Sequence, residues 1–399
     1  MKHILVTSYH SYKDPIVYGL LLKYLIRFQE LERGVRFHYI TFEQENFRLS
    51  AKEIKLEKQL LEEKGIYWHP LKYHSGGLSI ILKKLFDFTN LLVSLLFIRI
   101  KFRPRYVIGF TSISGIFAFL SGKFLGMSSL VLNMEPHATY MSDFGIWRTT
   151  SLKYKTLNWL EWMTIKNCSH LFLPTKAFYR VAKNLRADKP SYFLPTGINV
   201  NQRNFLPEER ERLRNEKGFK NDDLVLIYLG KFGGIYYSAE DFAEKFKDVL
   251  NAENSVKVWI ITPDNIQNVE EQMTSYIPKN KLIVDGKIPF EKINSYLSAA
   301  DLGLFLVPSH SSQRYRCPIK TADYWGCGLP ILITHGVSDD YIISRKYHVG
   351  KSITENVKYD EHIKEYESQG RLIEETNRVV EKFRDLNKTV SYLRSIIID

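Results

Sequence analysis

The sequence predicts an α/β protein made of two Rossmann-like parallel-sheet domains. Short β-rich runs alternate with longer helical patterns, the alternation stops once near mid-chain and restarts, and 399 residues suit two domains that each bury a core. An apolar content of 44% beside 25% charged residues places the chain with folded globular proteins, not disordered ones.

The first series opens with the strand "HILVTSY" at residues 3–9 and a helical stretch after Pro15. "VRFHYITF" at 35–42 precedes a charged helix over 51–64, and "IYWHPL" at 66–71 leads into an apolar helix over 78–102. Strand runs at 105–110, 129–134, 170–175 and 191–196 continue the pattern. Such alternation implies right-handed βαβ units and a parallel sheet. Residues 196–223 are polar, charge-dense and poor in β-branched runs, so they read as a linker with one exposed helix. A second series follows at 224–230, 256–262, 281–286, 302–307 and 330–334, and the tail from Tyr359 is a charged helical run. The expected organisation is a first domain over 1–195, a linker over 196–223, a second domain over 224–375 and a helix over 376–399 that crosses back. Open parallel sheets bind ligands beyond the carboxyl ends of their strands, so the chemistry is expected in a cleft that both domains face.

The net charge of +12 favours an anionic partner. The basic residues form no Arg-rich tract and no basic-aromatic repeat, so no nucleic acid is expected. Cys168, Cys317 and Cys327 include no CxxC pair, which argues against a zinc site or a disulfide framework and for a reducing, cytoplasmic setting. The N-terminal apolar core spans only residues 4–6, far short of the ~7–15 residues of a secretory signal. In 78–102, Lys83, Lys84 and Asp87 interrupt the apolar pattern, and the unbroken run 91–98 falls short of the ~20 residues that span a bilayer. This segment reads either as a buried helix or as one resting on an anionic membrane surface.

No G-x-G-x-x-G follows a strand, and neither a P-loop nor a D-x-D triplet is present, so no dinucleotide cofactor or metal is expected. The candidates lie in the second half. "YLGKFGGIYY" ends a strand at Gly230 and supplies Lys231, then Gly233 and Gly234. Adjacent glycines after a strand let backbone N–H groups approach a phosphate, although an ordinary turn has the same composition. In "RYRCPIKTADYWGCGLP", Pro318 fits a first helical position, so Arg314, Arg316 and Lys320 collect where a helix N-terminus presents unpaired donors. Asp323 follows Lys320 by three residues, near the same helix face, either as a ribose acceptor or as the partner of a surface ion pair.

Together these stretches resemble the GT-B glycosyltransferases of family 4. Residues 318–330 are similar to that family's "SPxKxxEYxxxGxPV" signature, 284–309 to its "V-x-G-x-V…L-x-x-AD-x-x-L-x-P-S" segment, and "YFLPTGINVNQRNF" to its linker motif. The resemblance implies a GT-B fold and no cofactor beyond a nucleotide-sugar co-substrate. It places Lys231 and Lys320 on the donor diphosphate, Asp323 on the ribose and the backbone around Lys287 and Ile288 on the base; the residues themselves add Gly230, Gly233, Gly234 and Arg316 to the diphosphate candidates and Pro318 to those for ribose or base. The chain departs from the family at Asp323, where glutamate is usual. It also lacks a lysine near Tyr236 or Tyr237, for which Arg314 or Arg316 is a substitute. The N-terminal double-glycine loop is replaced by "TSYHSYKDP".

In the first domain, "VLNMEPHATYMSDFGIW" offers His137 and Glu135 as the catalytic pair, because related enzymes place a histidine or carboxylate here. A histidine near neutrality donates to a sugar hydroxyl or assists acceptor deprotonation, although a loop histidine can equally hold a structural hydrogen bond. Tyr9, His10 and Asp143 are candidate acceptor contacts, with Trp147 further along. The resemblance implies retaining transfer, and lysines, glycine amides and a helix start can neutralise the leaving diphosphate without a metal. The expected acceptor is a saccharide or polyprenyl-linked saccharide in cell-surface polysaccharide assembly, and the basic charge and the 78–102 segment suit the inner face of the cell membrane. The alternatives are a GT-B epimerase or phosphorylase, or a non-catalytic partner subunit.

Overall fold

The computed structural model describes residues 1–74, 80–246, 255–353 and 372–398. Two compact units emerge: Met1–Ser142 with Trp147–Pro195 and Asn387–Asp399, and Thr196–Leu386 with Asp143–Ile146.

The first unit is a seven-stranded parallel sheet in the order β3-β2-β1-β4-β5-β6-β7. Its strands are β1 (Lys2–Ser8), β2 (Val35–Glu43), β3 (Ile66–Lys72), β4 (Tyr106–Phe110), β5 (Ser128–Leu132), β6 (His170–Leu173) and β7 (Ser191–Phe193). Between them run α1 (Leu22–Leu31), α2 (Ala51–Glu63), α3 (Ile80–Phe102), α4 (Ser112–Leu125), α5 (His137–Asp143), α6 (Leu152–Asn167) and α7 (Lys176–Leu185). Local chemistry sets the boundaries. Ser50 and Glu53 form a capping box on α2, Thr175 caps α7, and Gly126 closes α4 in the left-handed conformation. Central strands are buried on both faces, so Leu5, Val6, Val107, Leu130 and Val131 are inaccessible to solvent.

Helix α3 combines both readings of its sequence. Leu91, Leu95 and Ile98 are buried against the sheet, while Leu82, Leu85, Phe86, Val93, Phe97 and Ile100 are exposed. One of its polar interruptions turns inward. Asp87 is fully buried and accepts from the Tyr9 hydroxyl (2.6 Å) and from His74 Nδ1 (2.5 Å). Among the described residues no helix is long and apolar enough to cross a membrane.

The second unit holds a six-stranded parallel sheet in the order β10-β9-β8-β11-β12-β13. These strands are β8 (Leu224–Leu229), β9 (Val256–Ile261), β10 (Leu282–Asp285), β11 (Leu302–Phe305), β12 (Ile331–Thr334) and β13 (Gly350–Ile353). Its helices include α8 (Pro207–Lys217), α9 (Ala239–Glu244), α10 (Ile266–Thr274), α11 (Ile293–Ala299), α12 (Ile319–Gly326), α13 (Asp340–Lys346) and α14 (Ile373–Phe383). Strand β13 is an addition to the sequence reading, because "GKSI" is too short and polar to register as a strand.

Two expectations change. Residues 196–223 group with the second unit, and α8 docks on it. Arg210 and Arg214 bind Asp301 at 2.6 and 3.1 Å, and the Asp301 carboxylate also accepts the Val225 N–H. The chain end is two helices, α14 and α15 (Leu386–Ile398), with Arg384 and Asp385 between them. Residues from Asn387 onward group with the first unit, where Arg394 pairs with Glu32 at 2.6 Å.

Candidate functional site

In a doubly wound sheet the crevice opens where strand order reverses, beyond the carboxyl ends of the two strands involved. In the second unit these strands are β8 and β11. The turn after β8 carries Gly230 and Lys231, and the chain leaving β11 runs through Arg314 and Arg316 into α12.

Lys320 lies directly over the Gly230 backbone. A Cβ on Gly230 would come within 2.5 Å of the Lys320 Nζ and 2.7 Å of the Tyr228 hydroxyl, so a side chain there would displace the ammonium from this position. The ammonium faces the Tyr228 and Tyr236 rings at 5.6 and 5.5 Å, and the Arg316 guanidinium lies 5.3 Å from the Tyr236 ring. Arg314 turns instead to the Tyr315 hydroxyl, at 2.7 Å. Of the two candidate arginines, Arg316 is the one beside Lys320. Burial, then the neighbouring charges of Arg316 and Lys231, push the Lys320 pKa down to about 8 against the opposing pull of Asp323. Crowding three cations is unfavourable in isolation and favourable around an anion.

Gly233 and Gly234 adopt positive φ (76° and 63°), as the turn requires. The Gly233 N–H is committed to the Tyr237 carbonyl (2.7 Å) and the Phe232 N–H to Asp264 (2.8 Å). Gly233 therefore closes the turn and does not present an amide to a ligand. Pro318 is the N-cap of α12, not its first helical residue as expected, and the helix begins at Ile319. Its carbonyl accepts from Thr321 Oγ1 (3.0 Å) and from the Arg384 guanidinium, so Pro318 anchors the helix start. No side chain caps the first turn of α12, which leaves its N–H donors to a ligand.

Asp323 is bound to Arg203, whose Nε lies 2.7 Å from its Oδ1. Arg203 comes from the "NQRNF" segment, contacts Asn294 Oδ1 at 3.2 Å and stacks over Phe290 at 4.3 Å. Gly326 makes this possible, since a Cβ there would meet Arg203 Cβ at 2.7 Å and Ile198 Cδ1 at 2.9 Å. The other signature residues are structural. The Tyr324 hydroxyl accepts the Leu229 N–H at the end of β8, and Trp325 donates to the Val349 carbonyl. Arg384, almost wholly buried, donates to Asp340 at 2.7 and 2.8 Å and to Thr196. Lys287 is exposed and Ile288 half-buried beyond the end of β10, apart from these contacts.

In the first unit the order reverses between β1 and β4. Thr111, just past β4, sits at φ 77° and ψ 173°, a conformation a β-branched residue adopts only under strain. His10, just past β1, is half-buried, with Nε2 3.5 Å from Thr111 Oγ1 and Nδ1 3.4 Å from Asp14. Tyr9, a candidate acceptor contact, is a core residue whose hydroxyl is given to Asp87. Its ring packs on Phe42, Tyr73 and Phe117, and burial plus the Asp87 hydrogen bond raise its pKa. Asp143, which groups with the second unit, likewise has a structural task. Its Oδ2 accepts from the Ser311 hydroxyl (3.1 Å) and the Ser312 N–H (2.9 Å).

His137 opens α5, with Nδ1 3.4 Å from Glu135 Oε1 and its ring edge-on to Trp147. Burial pulls the imidazole down, but the hydrogen bond to Glu135 and the fields of Glu135 and Glu161 outweigh it and raise its pKa. Glu161 on α6 escaped the sequence reading. It is nearly inaccessible, accepts from the Ser112 hydroxyl, and accepts the Ala138 N–H at 3.1 Å. Burial pushes its carboxyl up to about 7 despite those donors. A glutamate flanked by tryptophans in an exposed-looking helix gave no signal of this task. Among the described residues no group of three or more His, Cys, Asp or Glu side chains is gathered to hold a metal.

No family model matches the sequence, and none of the curated proteins does. Solved structures match across the chain. Sucrose-phosphate synthase from Thermosynechococcus elongatus superposes with a TM-score of 0.71 at 12% identity, over 99% of this chain and 98% of that one. HepE from Anabaena, solved in complex with UDP, gives 0.71 at 12% identity, over 100% and 99%. WaaG, a glycosyltransferase involved in lipopolysaccharide biosynthesis, gives 0.66 at 13% identity, over 99% of each chain. At these identities the likeness is one of fold: the chain has the GT-B fold.

Proposed function

We propose that the protein is a glycosyltransferase that moves a sugar from a nucleotide-sugar donor to a saccharide or lipid-linked saccharide during cell-surface polysaccharide assembly. One observation carries the reading. Lys320 is buried at the switch point of the second sheet, beside an uncapped helix start, and burial first, then the charges of Arg316 and Lys231, push it down to about 8. A nucleoside diphosphate relieves that crowding and binds where its leaving-group charge would grow during transfer. Lysine, arginine and backbone N–H groups would stabilise that charge without a metal ion. Asp323, oriented by Arg203, would accept from the ribose hydroxyls, and Lys287 and Ile288 would flank the base. The fold shared with HepE, which was solved with UDP and with UDP-glucose, supports the donor class.

His137 and Glu135 would act on the sugar or acceptor hydroxyl, with His10 as an acceptor contact. The exposed stripe of α3 supports a partner at the membrane. Leu82 and Ile100 are 67% and 71% exposed, they share one helical face with Phe86 and Val93, and Lys83, Arg99 and Lys101 flank it. An apolar stripe bordered by cations suits an acidic lipid surface.

The test is turnover. The protein is incubated with radiolabelled UDP-, GDP-, CMP- and dTDP-sugars and a lipid extract, and labelled lipid is counted. Transfer that His137→Gln abolishes supports the reading, and release of free sugar alone, with no acceptor labelled, overturns it. In flotation assays, Phe97→Glu with Ile100→Glu should abolish binding to acidic vesicles. Equal binding by the variant contradicts the membrane role.

A further inference from the structure

We propose that Glu161 is a positioning residue for His137, clamping the start of α5 so that the imidazole is held against Glu135. The proposal rests on the catalytic reading of His137, but its geometry stands apart from the donor site.

Glu161 lies mid-way along α6, 1% exposed, where an unpaired carboxylate would be costly. It is not unpaired. One oxygen takes the Ser112 hydroxyl and the other takes the Ala138 N–H at 3.1 Å. Ser112 follows the strained Thr111 at the end of β4, and Ala138 follows His137 on α5. A single buried side chain thus ties together α6, the strained turn after β4 and the first turn of the helix that presents the imidazole. Strain of the kind seen at Thr111 persists only where surrounding contacts enforce it, and it gathers at functional sites. Glu161 supplies such a contact through Ser112.

The charges around His137 are few. Glu135 sits at Nδ1, Glu161 beneath the helix start, and Lys153 of α6 opposes them, while Trp147 covers the ring edge. Burial disfavours the imidazolium, and two carboxylates against one ammonium outweigh it and raise the His137 pKa. Burial pushes the Glu161 carboxyl up to about 7, so the charge it sets beside His137 grows as the pH rises through that value. Removing Glu161's charge while keeping its shape isolates its influence on His137.

The experiment is an NMR titration of histidine ring signals in the full chain, with the His137 signal assigned by its loss in His137→Gln. Glu161→Gln should keep the fold, lower the His137 midpoint by about 1 pH unit, and leave nucleotide-induced thermal stabilisation unchanged. Ser112→Ala, which removes a donor to the carboxylate and leaves it in place, should lower the midpoint by less. If Glu161→Gln does not fold, the Ser112→Ala titration decides. A His137 midpoint that stays within 0.2 units in the variant that decides overturns the proposal. Loss of nucleotide stabilisation in the wild type overturns the donor reading and leaves this one standing.

Discussion

Raising the pH from 7 to 9 should weaken the binding of a nucleoside diphosphate by about ten-fold, because Lys320 loses its proton in that window. Its pKa is pushed down to about 8 by burial and by Arg316 and Lys231. With a midpoint there, the free protein carries the ammonium in about 90% of molecules at pH 7 and about 10% at pH 9. A bound diphosphate places negative charge beside Nζ and restores the proton, so binding above pH 8 takes one up. The diphosphate's own last ionisation, near pH 6, is already about 90% complete at pH 7 and adds little across the window. Affinity should then track the protonated fraction, a change of about 1.4 kcal/mol across the window. The assay is calorimetry at pH 7, 8 and 9 in buffers of different ionisation enthalpy, which also counts the proton. Lys320→Arg keeps its charge at every pH and should flatten the profile. A flat profile in the wild type, or the same slope in Lys320→Arg, refutes the reasoning.

Three other expectations concern the frame around that lysine. Arg203→Ala removes the partner of a largely buried Asp323 and should cost ~3 kcal/mol in denaturant unfolding, with an additive Arg203→Ala/Asp323→Asn double variant counting against the pair. Gly326→Ala forces a methyl to within 2.7 Å of the Arg203 stem and should cost ~1–3 kcal/mol, where a neutral result means the helix and Arg203 do not pack as described. Arg384→Met strands the buried Asp340 and frees the Pro318 carbonyl, so it should lower thermal stability by ~3–5 kcal/mol and weaken nucleotide binding with it, while unchanged stability would exclude Arg384 as the anchor of α12.

Much of this architecture was legible in the residues, for physical reasons. Buried parallel strands require continuous apolar runs, and twelve of the thirteen strands coincide with runs read from the sequence. β13 escaped because "GKSI" carries no such run. The spacing from Pro318 to Asp323 identified the helix and the polar residues on it, because helical periodicity is local. What spacing cannot encode is who meets whom across the fold. Arg203, 120 positions before Asp323, had no visible link to it, and Glu161 had none to the start of α5. Nothing local in the sequence shows that Asp87 engages the Tyr9 hydroxyl or that the Ser311–Ser312 turn engages Asp143. Gly233 fitted a phosphate turn by composition, and the structure gives its amide to Tyr237.

The donor site is tested most directly by thermal unfolding with UDP, GDP, CDP and dTDP, each with and without magnesium, in the wild type and in Lys320→Ala. At a hundred-fold excess over Kd a bound nucleotide adds about 2.7 kcal/mol, a shift of a few degrees for a chain of this size. The account predicts that at least one of the four raises the wild-type Tm without magnesium and that Lys320→Ala loses most of the shift. No shift with any of them, or an undiminished shift in Lys320→Ala, would contradict it.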